Sequence, residues 1–246
     1  EYLIASLMKR VRSLLYFVHH SIATGSDGYA IRGHEIARSL LGSGICVRVL
    51  APVVGHSEYQ QFHVVVDGVD YINLQSWSGD SFLRLISVFK PDAVLAATSW
   101  LHAHPVQQVA QQLSLPFWYE ARGFWELSRC ARDPAFAGSA EFQQEVAAET
   151  ALAQAADRLF SLNRHMAAEW VSRGVPAAKI SLIPNGLTAI PANVPEPDPV
   201  LRTELGLDDS KVIAYIGSFS AYEGLDDLLA AFALAHWQGL DARLLL

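Results

Sequence analysis

Cysteine is scarce in this sequence of 246 residues, which has only two. Cys46 and Cys130 lie far apart and neither belongs to a C-x-x-C pair, so the sequence predicts neither a disulfide framework nor a zinc site. A reducing, cytoplasmic environment is the simplest interpretation. Long apolar runs are also missing, because no run approaches the roughly 18–20 residues of a membrane span. The sequence therefore predicts a soluble protein.

Basic residues are few and scattered. The 18 Lys and Arg residues against 25 Asp and Glu residues give a net charge of -7. No basic stripe marks a nucleic-acid interface, so we expect no nucleic-acid partner. With 51% hydrophobic residues the chain can bury a sizeable core. At about 100–200 residues per domain, its length predicts one whole domain and part of a second.

The stretch from Leu14 to Leu41 has the pattern of a βα unit. A buried strand over Leu14–Val18 leads to His19 and His20. A flexible glycine turn follows, and apolar residues then recur at helical spacing on one face: Ala30, Ile31, Ile36, Ala37, Leu40 and Leu41. Ligands bind open α/β sheets at the carboxyl ends of the strands. We therefore predict a ligand site at this turn.

The glycine turn contains Gly25, Asp27 and Gly28, and its helix begins with free backbone N–H groups that suit a phosphate. The turn resembles the start of a dinucleotide fingerprint, but the third glycine would have to be Ile31. The following strand ends at Ala51–Pro52 without a carboxylate for a ribose hydroxyl. We therefore expect that neither NAD nor NADP binds with micromolar affinity.

Strands and helices alternate along the next 150 residues. The predicted strands span 14–18, 47–50, 62–66, 69–74, 93–97, 117–120, 159–162 and 180–183. The predicted helices span 30–41, 82–89, 105–113, 140–155 and 164–173. Residues 121–138 read as irregular, and Asp67–Gly68 predicts a hairpin turn. This rhythm predicts a doubly wound, mainly parallel sheet of about seven strands.

Proline marks a boundary after this sheet. Five prolines between residues 184 and 199, without a periodic apolar face, predict an extended linker. A new βα unit then begins with a strand over 212–216 and a helix from residue 225. We predict a first Rossmann-like domain over residues 1–190, a linker over 191–210, and the truncated start of a second Rossmann-like domain over 211–246.

Four motifs in this order resemble the GT-B glycosyltransferases of family 4, which are retaining and use nucleotide sugars. They are the glycine turn at Gly28 with Ile36–Ala37, His102–Ala103–His104, Ile183–Pro184–Asn185–Gly186, and Gly217–Gly224. Each motif is weak alone, and the Ile-Pro-Asn-Gly motif is the most specific. The resemblance implies a GT-B fold and transfer of a sugar from a nucleotide sugar to a saccharide or lipid-linked acceptor.

The resemblance also implies roles for individual residues. The catalytic candidates are Arg122, His104 and Glu120. The substrate-binding candidates are His20, Gly25, Asp27, Gly28, Asn185 and Gly186. The candidates in the donor-domain turn are Gly217, Ser218, Glu223 and Gly224. No metal or cofactor is implied, because backbone and guanidinium groups can carry the phosphate charge.

Two positions depart from the family pattern. Arg122 stands where many members have a histidine, and Ser218 and Glu223 stand where an arginine and a lysine usually clasp the diphosphate. A carboxylate at Glu223 repels a diphosphate, so we expect Arg122 to supply the missing cation. We therefore predict that Arg122 faces the cleft near Gly28.

Several alternatives stay open at this point. Arg122 can instead pair with Glu126, and the histidines after the first strand can cap the loop. His104 is preferred to His102 as the residue facing the cleft. A GT-B-like sugar-nucleotide epimerase and a non-catalytic sugar- or nucleotide-binding module are the rival functions. We expect this chain alone to be inactive, and its second-domain segment to pack either against the first domain or against the same segment of a second copy. Peripheral membrane contact is left open.

Overall fold

The computed structural model describes residues 11–25, 27–53, 63–186, 195–207 and 209–246. The chain divides into two compact units. Unit 1 contains Glu1–Glu126 and Gly138–Thr188, and unit 2 contains Leu127–Ala137 and Ala189–Leu246. The domain limits predicted at residues 190 and 210 stay predictions, because residues 187–194 lie outside the described part.

Strands and helices alternate along most of the described chain. The strands are β1 (Ser13–Val18), β2 (Cys46–Pro52), β3 (His63–Val66), β4 (Val69–Leu74), β5 (Ala93–Ala97), β6 (Phe117–Ala121), β7 (Arg158–Ser161), β8 (Ile180–Leu182), β9 (Lys211–Ala214) and β10 (Ala242–Leu245). The helices are α1 (Gly28–Gly42), α2 (Gly79–Phe89), α3 (Trp100–Gln112), α4 (Trp125–Arg132), α5 (Ala140–Ala155), α6 (Arg164–Ser172), α7 (Pro199–Glu204) and α8 (Leu225–Trp237). Short 3₁₀ turns cover Pro134–Phe136, Ala177–Lys179 and Ala221–Glu223.

The described part of unit 1 is built on one eight-stranded sheet in the order β3-β4-β2-β1-β5-β6-β7-β8. All neighbouring strands are parallel except β3 and β4, which form the predicted hairpin. Asp67 and Gly68 both have positive φ, 49° and 80°, as a tight two-residue hairpin turn requires. The prediction of a doubly wound, mainly parallel sheet is confirmed.

β1 lies at the centre of this sheet and is buried on both faces. Leu15 and Phe17 pack into one core cluster, which includes residues of α2, α3, α5 and α6. Leu14, Tyr16 and Val18 pack into a second cluster on the other face, which includes Ala37 of α1. The carboxyl end of this buried central strand leads directly to the glycine turn.

His34 corrects the predicted buried face of α1. His34 is not among the apolar residues predicted for that face, yet only 4% of it is exposed, whereas Ile31, which is among them, is 47% exposed. The imidazole is buried with both nitrogens satisfied, because Nδ1 lies 2.6 Å from the Tyr71 hydroxyl and Nε2 lies 3.1 Å from Asp67 Oδ2. A buried polar ring is tolerated when its hydrogen bonds are made.

Three segments differ from the sequence-based assignment. Helix α3 begins at Trp100 and carries Pro105 in its interior, where the sequence predicted a helix starting at that proline. Helix α4 and a 3₁₀ turn lie within residues 121–138, which read as irregular. The short helix α7 lies within the predicted linker.

Unit 2 contains the predicted βαβ arrangement. Strands β9 and β10 are parallel and α8 connects them along the chain. No residue of α8 is buried in the described structure, and Leu229 and Leu234 on that helix are 46% and 56% exposed. The expectation that this segment packs against the first domain or self-associates stays a prediction. Among the described residues, no helix is both long and apolar enough to cross a membrane.

Candidate functional site

The ends of β1, β5 and β6 come together at one edge of the unit 1 sheet. These three strands are adjacent and parallel, so their carboxyl ends lie side by side. His19 and His20 follow β1, Thr98 and Ser99 follow β5, and Arg122 follows β6. This edge is where open α/β sheets bind their ligands.

Glu120 is the centre of a buried polar cluster beneath this edge. Its carboxylate accepts hydrogen bonds from the Tyr16 hydroxyl at 2.6 Å, from Arg122 Nε at 3.0 Å and from Arg32 Nε at 2.8 Å. Burial raises the pKa of Glu120, but Arg122 and the other donors outweigh it and hold that pKa below its usual value. Two guanidinium groups around one carboxylate leave a net positive charge at this edge.

Arg122 is fully engaged in that cluster. Its Nη2 donates to the Tyr16 hydroxyl at 2.6 Å, and its Nη1 donates to the Tyr29 carbonyl in the first turn of α1 at 2.8 Å. A Cβ at Gly33 would lie only 3.6 Å from Nη2, so α1 passes directly over the guanidinium. Arg122 therefore lies beside the glycine turn, where its side chain is buried at 4% exposure. Its predicted orientation toward the cleft stays a prediction.

The alternative partner considered for Arg122 is wrong. Its carboxylate partner is Glu120, whereas Glu126 lies 2.9 Å from Nη1 of Arg173. The physical reason is that Glu120 ends β6 on the same face as Tyr16 of β1. Glu126 begins the next helix and is buried beside α6. A direct contact of Arg122 with phosphate stays a prediction.

Arg32 is the residue that the sequence did not single out. Its Nη2 donates to the Ile183 carbonyl at 2.8 Å, and its Nη1 donates to the Pro184 carbonyl at 3.2 Å and to Asn185 Oδ1 at 2.8 Å. Together with the bond to Glu120, these contacts join α1, β6 and the segment after β8. Its position on the helix, one turn after Gly28, is the signal that places it on this side.

A pocket of about 550 Å³ lies between the glycine turn and the segment after β8. It brings together three residues predicted to bind substrate, which are Gly28, Asn185 and Gly186. Arg32 and Glu35 supply charged groups to its wall. The pocket lining does not include His20, Gly25 or His104.

The amino terminus of α1 already holds a carboxylate. Asp27 caps the helix, because its Oδ1 accepts from the Ala30 backbone N–H at 2.9 Å. Its Oδ2 lies 2.5 Å from His20 Nδ1. Burial raises the pKa of Asp27, but the backbone N–H of Ala30 and the hydrogen bond with His20 lower it overall. A phosphate at this turn must therefore compete with Asp27 for the free N–H groups.

The glycines of the turn are not required by backbone strain. Gly25 closes a turn through its N–H, which donates to the Ser21 carbonyl at 2.9 Å. A Cβ at Gly25 or at Gly28 would meet no atom within 4 Å. The space above Gly28 is therefore open, as an approaching ligand needs.

His19 lies in an aromatic cluster next to the dyad of His20 and Asp27. Its ring centroid is 5.1 Å from that of Tyr29 and 5.3 Å from that of Trp125, and these two rings stack on each other. Burial, followed by the neighbouring His20, lowers the pKa of His19 to about 4. His19 is therefore neutral at physiological pH and a weak base.

The structure separates His102 from His104. Both lie on α3, where residues two apart point in nearly opposite directions. His102 interacts electrostatically with His19, and its carbonyl accepts from Trp77 Nε1 at 2.9 Å. His104 lines a pocket with Ala148 and other residues of α5 instead. The choice of His104 over His102 as the residue that faces the cleft stays a prediction, and the helix places the two side chains on different sides of α3.

Glu149 of α5 is a buried acid. It is 1% exposed and accepts from the backbone N–H of Trp100 at 2.9 Å and from the Tyr119 hydroxyl. Burial is the main cause that raises its pKa to about 7. In its neutral form it can donate to Tyr119, whose hydroxyl then donates to the Thr98 carbonyl at 3.0 Å.

The predicted donor turn lies in unit 2. Gly217 allows a close approach of the chain to itself, because a Cβ there would lie 2.7 Å from the Tyr215 hydroxyl. That hydroxyl donates to the Ser218 carbonyl at 2.8 Å. Glu223 ends a 3₁₀ turn, and Gly224 follows with a φ of 68°. The donor roles of these four residues stay predictions.

The described residues contain no group of three or more His, Cys, Asp or Glu side chains that could hold a metal ion. The expectation that no metal or cofactor takes part is not tested by the structure.

A family model described as glycosyl transferase 4-like domain matches residues 27–186, which is more than half of the chain. No curated protein matches the sequence. Both the glycine turn from Asp27 and the Ile-Pro-Asn-Gly segment lie inside the matched range.

Solved structures share the fold at low sequence identity. The Anabaena protein HepE in complex with UDP and glucose has a TM-score of 0.61 and 14% identity, over 91% of this chain and 58% of that one. The catalytic domain of starch synthase IV from Arabidopsis thaliana, bound to ADP and acarbose, has a TM-score of 0.64 and 12% identity, over 95% and 68%. A UDP-N-acetylglucosamine 2-epimerase described as putative, from Listeria monocytogenes, has a TM-score of 0.54 and 16% identity, over 96% and 62%. The chain spans less than two thirds of the length of HepE.

Proposed function

The chain belongs to the glycosyl transferase 4-like domain family, and from this premise we propose that it moves a sugar from a nucleotide-sugar donor to a saccharide or lipid-linked acceptor with retention. The observation that carries the proposal is the pocket between Gly28 and Asn185, whose wall contains Arg32. Its Gly28 end lies at the edge of the sheet where a ligand is expected, and the pocket continues along α1 to Ser43. HepE, which shares the fold, was solved with UDP and with UDP-glucose, and this makes UDP-glucose the first donor to test.

Sugar transfer separates charge at the reacting centre. Positive charge develops on the sugar ring and negative charge on the departing diphosphate, so fixed donors near the diphosphate accelerate the reaction. We assign the stabilisation of the negative charge on the diphosphate to the two guanidinium groups around Glu120. Arg122 acts from its buried position and holds Glu120, and Arg32 is the cation next to the pocket. Asn185 and Gly186 face the donor from the other side of the pocket.

We predict that Arg32→Ala weakens binding of UDP-glucose to the full-length protein about tenfold. The substitution removes the three hydrogen bonds that fix Ile183, Pro184 and Asn185, and a charge-assisted hydrogen bond is worth roughly 1.5–3 kcal/mol. Isothermal titration calorimetry measures the dissociation constant. Arg84→Ala is the control, because Arg84 is an exposed arginine of α2 and does not line this pocket. Equal affinities for both variants would contradict the role of Arg32.

We propose that the transfer needs no metal ion. Guanidinium and backbone N–H groups can carry the phosphate charge that a divalent cation carries elsewhere. The expected result is an unchanged rate of transfer after dialysis against EDTA. Restoration of a lost activity by magnesium or manganese would show that the protein relies on a cation.

Two rival functions would give different results in the same assay. An epimerase converts the donor sugar without an acceptor, and the Listeria protein of that description shares the fold. A binding module binds the nucleotide without turnover. Incubation of the full-length protein with UDP-sugars, with and without saccharide and lipid-linked acceptors, separates the three. Proton NMR of the product gives its anomeric configuration and tests retention.

A further inference from the structure

Two aromatic side chains lie outside the core, beside the carboxyl ends of β1 and β6. The rings of Tyr29 and Trp125 stack, with centroids 5.5 Å apart and an interplanar angle of 22°. Both side chains are partly exposed. Neither belongs to the two core clusters of the described residues, although Phe124, the residue before Trp125, packs against the first cluster. Packing of the core therefore does not account for this aromatic pair.

Exposed polar groups lie next to the aromatic pair. The side chains of His20 and Asp27 are 45% and 44% exposed, and Asp27 Oδ2 lies 2.5 Å from His20 Nδ1. The ring of His19 connects them to the pair, because its centroid is 4.5 Å from that of His20 and 5.1 Å from that of Tyr29. A carboxylate, an imidazole and two stacked rings therefore share one end of α1.

This combination of groups fits a neutral sugar ring. A pyranose has apolar C–H groups on its faces, which pack on an aromatic ring, and hydroxyl groups around its rim, which need donors and acceptors. Ligand sites in general combine aromatic walls with a few polar groups that fix the orientation of the ligand. An anionic group is disfavoured, because the exposed charge at this end is the carboxylate of Asp27, whereas the guanidinium of Arg122 is buried.

Two buried hydroxyl groups at the same strand ends have no hydrogen-bond partner among the described residues. They are Ser21 Oγ after β1 and Thr98 Oγ1 after β5, in residues that are 1% and 3% exposed. Thr98 lies beside His19, because Ala97 pairs with Val18 in the parallel register. Buried polar groups are normally hydrogen-bonded. A ligand with many hydroxyl groups, or the water bound with it, can supply the missing hydrogen bonds.

We propose that His20, Asp27, Tyr29 and Trp125 form the site for a neutral sugar ring of the acceptor, which stacks on Trp125 and forms hydrogen bonds with His20 and Asp27. This inference rests on the proposed function, and it names a saccharide as the part of the acceptor that the protein recognises. Gly28, which separates Asp27 from Tyr29 in the chain, lines the pocket assigned to the donor. The two sites therefore meet at the glycine turn.

The test measures binding of saccharides to the full-length protein without a donor, by saturation-transfer difference NMR. The neutral probes are glucose, galactose, mannose, maltose and lactose, and the 6-phosphates of the three hexoses are the anionic counterparts. We expect at least one neutral probe to bind, and the phosphates to bind about threefold or more weakly, because Asp27 repels the added charge. Absence of binding by every neutral probe would overturn the inference.

Substitutions at the site connect this binding to named residues. Trp125→Ala should weaken binding of the neutral probe about tenfold, whereas Trp125→Phe, which keeps an aromatic face, should weaken it no more than about threefold. His20→Ala changes an exposed side chain, tests the same site without removing a stacked ring, and should weaken binding about fivefold. His63→Ala is the matched control, because His63 is also exposed and lies 3.0 Å from an aspartate, Asp70, but on the edge strand β3. It should leave saccharide affinity unchanged.

UDP-glucose also carries a neutral sugar ring, and the same variants separate the two sources. Trp125→Ala should leave the dissociation constant of UDP-glucose unchanged in isothermal titration calorimetry. A parallel loss of UDP-glucose and saccharide affinity would place the donor sugar in this site and overturn the inference. Wild-type saccharide affinity in both Trp125→Ala and His20→Ala would overturn it as well, and would leave the proposed function standing. A protein that binds neutral saccharides but no nucleotide sugar would overturn the proposed function and leave the saccharide site standing.

Discussion

Glu120→Ala is expected to lower the free energy of unfolding by about 3–5 kcal/mol, which is the usual cost of removing one partner of a buried ion pair. The side chains of Glu120 and Arg122 are 2% and 4% exposed, so water cannot replace the lost carboxylate. Arg32 loses the same partner at its Nε. The variant would leave two guanidinium groups near each other without a counter-charge. Chemical denaturation of the two proteins measures the difference.

An exposed ion pair provides the control for this prediction. Glu169 lies 2.8 Å from Arg173 and its side chain is 46% exposed, so Glu169→Ala should cost no more than about 1 kcal/mol. The double variant Glu120→Ala with Arg122→Met should recover part of the loss, because it removes the uncompensated charge as well. A cost for Glu120→Ala equal to that of Glu169→Ala would show that the cluster does not hold the fold together.

The sequence predicted most of the sheet correctly because its strands are buried on both faces. Such strands are near-continuous apolar runs, as in Leu14–Val18 and Ala93–Ala97, and they need no knowledge of distant residues. The hairpin at Asp67–Gly68 also followed from local turn chemistry. Burial of His34 did not, because its partners Tyr71 and Asp67 belong to another part of the chain.

The errors in helix boundaries also come from contacts with residues that are distant in the sequence. The start of α3 at Trp100 receives its cap from Glu149, a residue 49 positions further along the chain. No local pattern marks such a cap. Helix α4 was missed because its sequence is mostly polar, and its one buried residue is Glu126, which is paired with Arg173.

The candidate site shows the same division between local and distant information. The glycine turn and the Ile-Pro-Asn-Gly motif placed Gly28, Asn185 and Gly186, which line one pocket. Arg32 was overlooked because its partners lie between 88 and 153 residues away. His102 and His104 lie in α3, which begins five residues before the predicted start of that helix at Pro105.

Glu149→Gln is expected to remove a pH dependence of stability that the wild-type protein has. Burial raises the pKa of Glu149 from an ordinary value of 4.5 to about 7 in the folded protein. The unfolded chain therefore loses its proton first as the pH rises. Stability from the neutral acid is fully present below pH 4.5 and is lost as the pH rises through about 7. At about 1.4 kcal/mol per pKa unit, the whole loss is about 3 kcal/mol.

Glutamine can replace the neutral acid at this position, because its carbonyl oxygen can accept from the Trp100 N–H and its amide can donate to Tyr119. Between pH 5 and pH 8, the unfolding free energy of Glu149→Gln should gain roughly 2–3 kcal/mol relative to the wild type. His19 contributes in the opposite direction, because its lowered pKa adds stability above pH 6.5 that is lost as the pH falls through about 4. Both proteins contain His19, so its contribution cancels when Glu149→Gln is compared with the wild type. Parallel curves for Glu149→Gln and the wild type would mean that Glu149 is ionised in the folded protein, and that its bonds to Trp100 and Tyr119 are those of a carboxylate.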